Sequence, residues 1–124
     1  MKKIIRTEQA PKAIGPYVQA VFVGNQIFTS GQLGMNPETG KLEEGIEAQT
    51  HASLKNLQSI LKEAGMTLDD VIKTTVYVKD LKDFSVVNEI YSSYFSDYPA
   101  RSCVQVAQLP LDGLVEIECI ACKQ

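Results

Sequence analysis

The sequence predicts an α+β sandwich in which two helices cover one face of a single sheet, with the element order ββαβαββ. Hairpin signals, in which alternating apolar residues are interrupted by short turns, occur near both ends of the chain. Two segments with apolar residues at helical spacing lie between the hairpins, and a strand-like segment separates these helices. At 124 residues, the chain is expected to form one domain, residues 1–124.

The first predicted hairpin joins residues 17–23 to residues 26–30 through Gly24-Asn25, a dipeptide that favours two-residue turns. The first helix is expected from about residue 47 to residue 64. Its apolar residues at helical spacing are Leu54, Leu57, Leu61 and Ala64, and Gly65 follows as a C-cap residue.

A central strand is predicted because every second residue from Ile72 to Val78 has a side chain suited to one buried face. These residues are Ile72, Thr74, Val76 and Val78. The second helix follows this strand, and Pro99 ends that segment. The residues of its apolar side are Phe84, Val87, Tyr91, Tyr94 and Phe95.

The last predicted hairpin joins residues 102–109 to residues 114–122, with Arg101 opposite Cys122. One face of this hairpin is apolar and is expected to pack under the helices. The residues of that face are Val104, Val106, Val115, Ile117, Cys119 and Ala121.

The opposite face of the predicted hairpin mixes apolar residues with Arg101, Cys103, Glu116 and Glu118. It is too apolar to lie fully in water, and both helices already cover the other face. We therefore expect another subunit to cover it. In this register Arg101 and Glu116 share a face but lie roughly 20 Å apart, so they could act together only across a subunit boundary.

The composition excludes several kinds of site and partner. His51 is the only histidine, so a metal site built from several histidines is excluded. A Ser–His–Asp triad would have to include His51. A formal net charge of −3 gives no electrostatic reason to expect nucleic acid or an anionic membrane surface as a partner. No apolar run approaches the length of a membrane span. Three cysteines without a secretion signal favour reduced thiols and a cytoplasmic location.

Arg101 and Glu116 are the candidate functional residues. An arginine on a sheet face that another subunit covers is costly without an anion, and its planar fork suits a carboxylate. On these residues alone, a structural salt bridge between subunits is the slightly favoured interpretation of Arg101. Cys103 could lie at the edge of such a cleft or could be an inert buried thiol, and Glu118 is interpreted as a polar interface contact.

Several short motifs occur in order along the chain. They are Ile14-Gly15-Pro16-Tyr17, Thr29-Ser30-Gly31-Gln32, Lys73-Thr74-Thr75-Val76-Tyr77-Val78, Val87-Asn88, Pro99-Ala100-Arg101-Ser102-Cys103-Val104, Leu109-Pro110 and Val115-Glu116-Ile117-Glu118. Together they resemble the RidA/YjgF/YER057c/UK114 family, also called reactive intermediate deaminases. The resemblance covers essentially the whole chain.

The resemblance implies a chorismate-mutase-like (YjgF-like) fold and a homotrimer whose sheets form a central barrel with clefts between subunits. The activity it implies is hydrolysis of enamine and imine intermediates, chiefly 2-iminobutanoate and 2-iminopropanoate, to 2-oxo acids and ammonia. Pyridoxal-phosphate enzymes release such intermediates, and no metal or cofactor is implied for their hydrolysis. The alternative is a non-catalytic trimer that binds small carboxylates such as 2-oxo acids, in a regulatory or chaperone-like role.

The resemblance also assigns roles to individual residues. Arg101 is expected to hold the substrate carboxylate, and Glu116 is expected to orient or deprotonate the attacking water. An intact glutamate favours the enzyme over the carboxylate-binding alternative, because binding alone does not require it. The remaining residues expected at the substrate are Tyr17, Ser30, Gly31, Asn88 and Cys103.

Overall fold

The computed structural model describes residues 1–124 and contains two helices, α1 (Gly45–Glu63) and α2 (Phe84–Ser92), that pack on one sheet. The strands of this sheet are β1 (Lys3–Ile5), β2 (Ala20–Val23), β3 (Gln26–Thr29), β4 (Gln32–Leu33), β5 (Val71–Val78), β6 (Ala100–Gln105) and β7 (Val115–Cys122). Without the short strands β1 and β4, which the sequence did not predict, the order is ββαβαββ. The predicted α+β class and element order are therefore confirmed.

Strand order across the sheet differs from the prediction. The order is β1-β2-β3-β7-β5-β6, and β4 also pairs with β7. The predicted C-terminal hairpin is wrong, because β5 lies between β6 and β7. Strand β6 runs parallel to β5, which requires a crossover connection, and α2 provides it.

The parallel pairing reverses the predicted orientation of β6. Thr74 and Val76 are fully buried under the helices, and their partners on β6, Arg101 and Cys103, face the same side. Val104, which was expected under the helices, lies on the opposite face and is 44 % exposed. On β7 the prediction is confirmed, because the buried residues are Val115, Ile117, Cys119 and Ala121.

Helix α1 supplies a large part of the core. Leu54, Leu57 and Leu61 are fully buried, as their spacing predicted, and each burial contributes about 2 kcal/mol. The helix ends at Glu63, and Gly65 follows with a φ of +75°, the left-handed conformation expected of a C-terminal glycine. Neither α1 nor any other helix is long and apolar enough to cross a membrane.

Strand β5 and helix α2 follow the predicted pattern with two exceptions, Ile72 and Phe84, which was predicted on the apolar side of α2 but is 38 % exposed. Val87 and Tyr91 of α2 are buried, and Phe95 is buried just beyond the end of the helix. Ile72 is 46 % exposed, although it was predicted to share a face with Thr74. The cause is an irregularity in the pairing of β5 with β7 between Val71 and Lys73, which shifts the alternation of side chains.

The face of the sheet opposite the helices is largely uncovered. Phe28 of β3 and Ile120 of β7 are register partners on this face, and Phe28 is 40 % exposed. Ile4 and Val23 are exposed to a similar degree on the neighbouring strands. This face is therefore apolar within the single chain, as the sequence predicted.

Gly34 allows α1 to approach the sheet closely. A Cβ atom at this position would lie 2.4 Å from the Cα and the carbonyl oxygen of Gln49 on α1. The Gln49 side chain in turn donates to the carbonyl oxygen of Glu43 and accepts a 2.9 Å hydrogen bond from the Leu114 backbone N–H. The same contact thus positions the start of β7.

We predict that Gly34→Ala destabilises the fold by about 2–3 kcal/mol, because the added methyl group meets backbone atoms that cannot rotate away. Gly15→Ala is the matched control, since its Cβ would meet only the Tyr17 ring at 3.4 Å, an ordinary van der Waals distance. Urea unfolding followed by circular dichroism measures both. Equal unfolding midpoints for the two variants would contradict the prediction.

Candidate active site

Arg101 lies on the edge strand β6 with its guanidinium held against α2. Its Nη1 donates a 2.7 Å hydrogen bond to Oδ1 of Asn88. Its guanidinium carbon is 5.5 Å from the centre of the Phe84 ring and 5.0 Å from that of Tyr91. Neither of the two salt bridges in the structure involves Arg101. Most of its N–H donors are therefore free to bind an anion.

Helix α2 places the three side chains that surround this guanidinium. Phe84, Asn88 and Tyr91 lie at positions i, i+4 and i+7, a spacing that puts them on one face of a helix. From the sequence, Phe84 and Tyr91 are predicted only to lie on the apolar side of α2. Their helical spacing from Asn88 is the signal that could have joined them to the site.

Cys103 follows Arg101 on the same face of β6. Its side chain is half-buried and packs against the core. Burial raises the pKa of this thiol, and the nearby charge of Arg101 only partly opposes the increase. The thiol is therefore protonated at neutral pH and is not activated as a nucleophile.

Glu116 lies on β7 and projects from the face opposite the helices. It alternates with the buried residues Val115 and Ile117, and its register partner on β5 is Tyr77. Burial raises the pKa of the Glu116 carboxyl group, and the charge of Glu118 two residues later raises it further. Glu116 thus holds a proton to higher pH than an ordinary glutamate, a property suited to acid–base chemistry.

Gly31 lies directly against the Glu116 side chain. A Cβ atom at Gly31 would lie 2.8 Å from the carboxyl carbon and 2.9 Å from an oxygen of that glutamate. Any larger residue would therefore displace the carboxyl group. This geometry places Gly31 beside Glu116.

Ser30 and Tyr17 lie in the neighbouring N-terminal segment. The Ser30 hydroxyl donates a 2.6 Å hydrogen bond to the Val18 carbonyl oxygen, so it fixes the backbone next to Tyr17. Tyr17 is 50 % exposed and lines a cavity of about 450 Å³ together with Arg6 and Lys12. Neither Arg101 nor Glu116 lines this cavity.

The structure thus separates the predicted site residues within one chain. Asn88 and Cys103 accompany Arg101, whereas Gly31 accompanies Glu116. The Cα atoms of Arg101 and Glu116 are about 14 Å apart, because the residues are separated by two strand spacings and three residues of register. Their side chains leave opposite faces of the sheet, so the predicted shared face is wrong. The conclusion that one chain alone cannot bring the two groups together still holds.

The only histidine does not join either group. His51 is exposed on α1, and its Nδ1 lies 2.7 Å from the Tyr94 hydroxyl oxygen. No cluster of three or more His, Cys, Asp or Glu side chains is arranged to hold a metal ion.

Comparisons with known proteins agree with the fold and the motifs. The sequence model of a family described as Endoribonuclease L-PSP matches residues 7–123. A 2-iminobutanoate/2-iminopropanoate deaminase of Escherichia coli K12 is 51 % identical over 128 aligned residues, which cover 100 % of both chains. A crystal structure from Thermotoga maritima covers 100 % of this chain and 99 % of its own, with a TM-score of 0.97 and 52 % identity.

A second solved structure, E. coli TdcF with bound serine, covers 98 % of this chain and 99 % of its own. Its TM-score is 0.96 and its sequence identity is 48 %. With the motifs, the two-helix fold and these matches in agreement, the chain belongs to the RidA/YjgF/YER057c/UK114 family.

Proposed function

We propose that this protein hydrolyses small 2-imino acids, chiefly 2-iminobutanoate and 2-iminopropanoate, to 2-oxo acids and ammonia. The observation that carries the proposal is the combination of two side chains. The Arg101 guanidinium has no acidic partner in the chain, and the pKa of the Glu116 carboxyl group is raised. Full-length identity of 51 % to an E. coli 2-iminobutanoate/2-iminopropanoate deaminase supports the same reaction. The reaction makes the protein a hydrolase that acts on C=N bonds and needs no cofactor.

The proposed site lies between subunits of a homotrimer, in which each subunit is one domain of residues 1–124. Two features of the single chain support this assembly. Arg101 and Glu116 project from opposite faces of the sheet, and the face that carries Glu116 exposes apolar side chains such as Phe28 and Val104. Association through this face would bury those side chains, and because Arg101 lies on the edge strand β6, the arginine of one subunit would lie at the border of the interface, within reach of a glutamate of another. The trimer itself is what family membership implies.

In the proposed mechanism, Arg101 binds the substrate carboxylate through its free N–H groups and thereby fixes the imine carbon. Glu116 of a neighbouring subunit removes a proton from water as the water oxygen attacks that carbon. The glutamate returns this proton to nitrogen, which gives a tetrahedral intermediate that carries a hydroxyl and an amino group. The glutamate then takes the hydroxyl proton and transfers it to the same nitrogen as the C–N bond breaks, so both protons of the water leave with ammonia. The carbon retains the water oxygen as the carbonyl group of the 2-oxo acid.

The remaining site residues have supporting roles in this proposal. Asn88 orients the Arg101 guanidinium, and Gly31 leaves room for the Glu116 carboxyl group. The Cys103 thiol is protonated and takes no part in the chemistry. The backbone groups of Cys103 bind beside the substrate. Ser30 fixes the segment that carries Tyr17, and the Tyr17 hydroxyl borders the cleft.

The alternative is a trimer that only binds small carboxylates, such as 2-oxo acids, in a regulatory or chaperone-like role. E. coli TdcF with bound serine is a relative that holds a small amino acid. Binding a carboxylate would not, however, require a second carboxyl group in a partly buried position. A net charge of −3 gives no reason to propose nucleic acid as a ligand. The cytoplasmic location expected from the cysteines stays a prediction.

We predict that the protein competes with semicarbazide for the imine that threonine dehydratase releases, so that less semicarbazone forms. Arg101→Ala should lower kcat/KM for the imine about 100-fold, because a charge-assisted, two-pronged contact to the carboxylate is lost. Lys55→Ala, which removes a charge from the exposed side of α1, should leave the rate unchanged. Undiminished semicarbazone formation with the unaltered protein would refute the deaminase function.

We predict that Arg101→Ala and Glu116→Ala subunits, each strongly impaired alone, regain activity when they are mixed, unfolded and refolded together. In a ring of randomly mixed subunits, about a quarter of the sites would combine an intact arginine with an intact glutamate, giving about a quarter of the normal activity. Each variant refolded alone is the control. Mixed samples that stay as inactive as the controls would show that the site does not form between subunits.

We predict that Glu118→Gln shifts the acidic limb of the kcat/KM profile to lower pH. Glu116 acts as a base only when deprotonated, so activity falls as the pH decreases through its raised pKa. The charge of Glu118 raises that pKa, and its removal lowers it; Tyr77, the other titratable group facing Glu116, is neutral in this range. Glu89→Gln on exposed α2 is the matched control. An unshifted limb in Glu118→Gln would exclude Glu116 as the titrating base.

A further inference from the structure

The Arg101 guanidinium is enclosed by groups that hold it without neutralising it. The Phe84 and Tyr91 rings lie within cation–π distance of the guanidinium carbon, at 5.5 and 5.0 Å. Asn88 accepts one hydrogen bond through a neutral amide oxygen. These contacts involve the charged head of the side chain, and all three residues come from one face of α2.

Tyr91 is itself fixed from two sides. Its hydroxyl oxygen lies 2.6 Å from the hydroxyl oxygen of Thr74, which is fully buried on β5. Its ring also packs on Phe95, with 4.7 Å between the ring centres. Thr74 is the register partner of Arg101 in the parallel pair. One hydrogen bond therefore joins the helix that carries the ring to the strand next to the arginine.

The buried hydroxyl pair is not required to fill the core. Valine has nearly the shape of Thr74 and phenylalanine that of Tyr91, so the same space could be filled without burying two polar groups. What the hydroxyl pair adds is a fixed position for the Tyr91 ring. A fixed ring restricts the guanidinium that lies against it.

We propose that Phe84, Asn88 and Tyr91 form a preformed guanidinium site, and that Tyr91, locked by Thr74, is a positioning residue for Arg101. The site exists before substrate binds and leaves the free N–H edge of the guanidinium aligned for a carboxylate. This inference rests on the proposed role of Arg101 in carboxylate binding and extends it to the residues that orient the arginine.

The first test measures whether the site binds guanidinium that is not attached to the chain. In Arg101→Ala, guanidinium chloride at up to about 100 mM, well below denaturing concentrations, should shift the NMR signal of the Asn88 side-chain amide in a saturable way. Sodium chloride at equal concentration controls for ionic strength. The shift should be lost in Arg101→Ala/Tyr91→Leu and kept in Arg101→Ala/Tyr94→Leu, which alters a tyrosine that contacts His51 instead.

The second test keeps the core filled and removes only the hydrogen bond between the Thr74 and Tyr91 hydroxyl groups. Thr74→Val/Tyr91→Phe should melt within a few degrees of the unaltered protein, because both hydroxyls leave together. Its KM for the imine should rise about fivefold while kcat changes little, since carboxylate binding loses orientation and Glu116 is untouched. Tyr94→Phe should leave both constants unchanged.

The inference is overturned if guanidinium gives no saturable shift in Arg101→Ala, or the same shift after Tyr91→Leu is added. It is also overturned if Thr74→Val/Tyr91→Phe keeps the normal KM. The NMR measurement does not depend on turnover. An unaltered protein that fails to compete with semicarbazide would refute the proposed function, and guanidinium binding would still decide whether the site exists.

Discussion

Thr74 lies on β5, the strand next to one edge of the sheet, with Arg101 beside it on β6 and Cys119 beside it on β7. The pairing of β5 with both strands determines where Arg101 and Glu116 lie. Parallel pairing turns Arg101 towards the helices, where α2 surrounds its guanidinium. On its other side β5 pairs with β7, which runs antiparallel to it. Val115 and Ile117 of β7 are buried under the helices, so Glu116 between them projects from the open face of the sheet. If β6 and β7 formed the predicted hairpin, Arg101 would instead share the open face of the sheet with Glu116.

The separation of Arg101 from Glu116 also preserves their chemistry. Placed together within one chain, the two side chains would form an ion pair, which would occupy the arginine and lower the pKa of the glutamate. The sheet keeps them apart, so the guanidinium has no acidic partner and the pKa of the Glu116 carboxyl stays raised. A site assembled between subunits can bring them to opposite ends of a substrate rather than into contact with each other.

Sequence patterns predicted the elements more reliably than their arrangement. The buried face of β7 was predictable, because Val115, Ile117 and Cys119 alternate regularly with charged residues. The buried face of β6 was not predictable. One face of this strand carries Arg101 and Cys103 and the other carries Ser102 and Val104, so neither face is clearly more apolar, and an edge strand is partly exposed on both faces. Turn residues between β6 and β7 favoured a hairpin, and only tertiary packing shows that β5 lies between them. The candidate residues themselves could be named from the motifs, and helical spacing from Asn88 could have added Phe84 and Tyr91. Only the crossover geometry, however, shows that these two rings lie against Arg101.

The choice of groups around Arg101 follows from what the arginine has to bind. An aspartate or glutamate would orient the guanidinium strongly, but it would also neutralise the charge and compete with the substrate carboxylate for the same N–H donors. An amide oxygen and two aromatic faces restrict the guanidinium while leaving its charge unpaired. Imines hydrolyse readily in water, so the catalyst needs little beyond a fixed substrate and one acid–base group. A chain with a single histidine can therefore meet the demands of this reaction, provided that its arginine is held in place by uncharged neighbours.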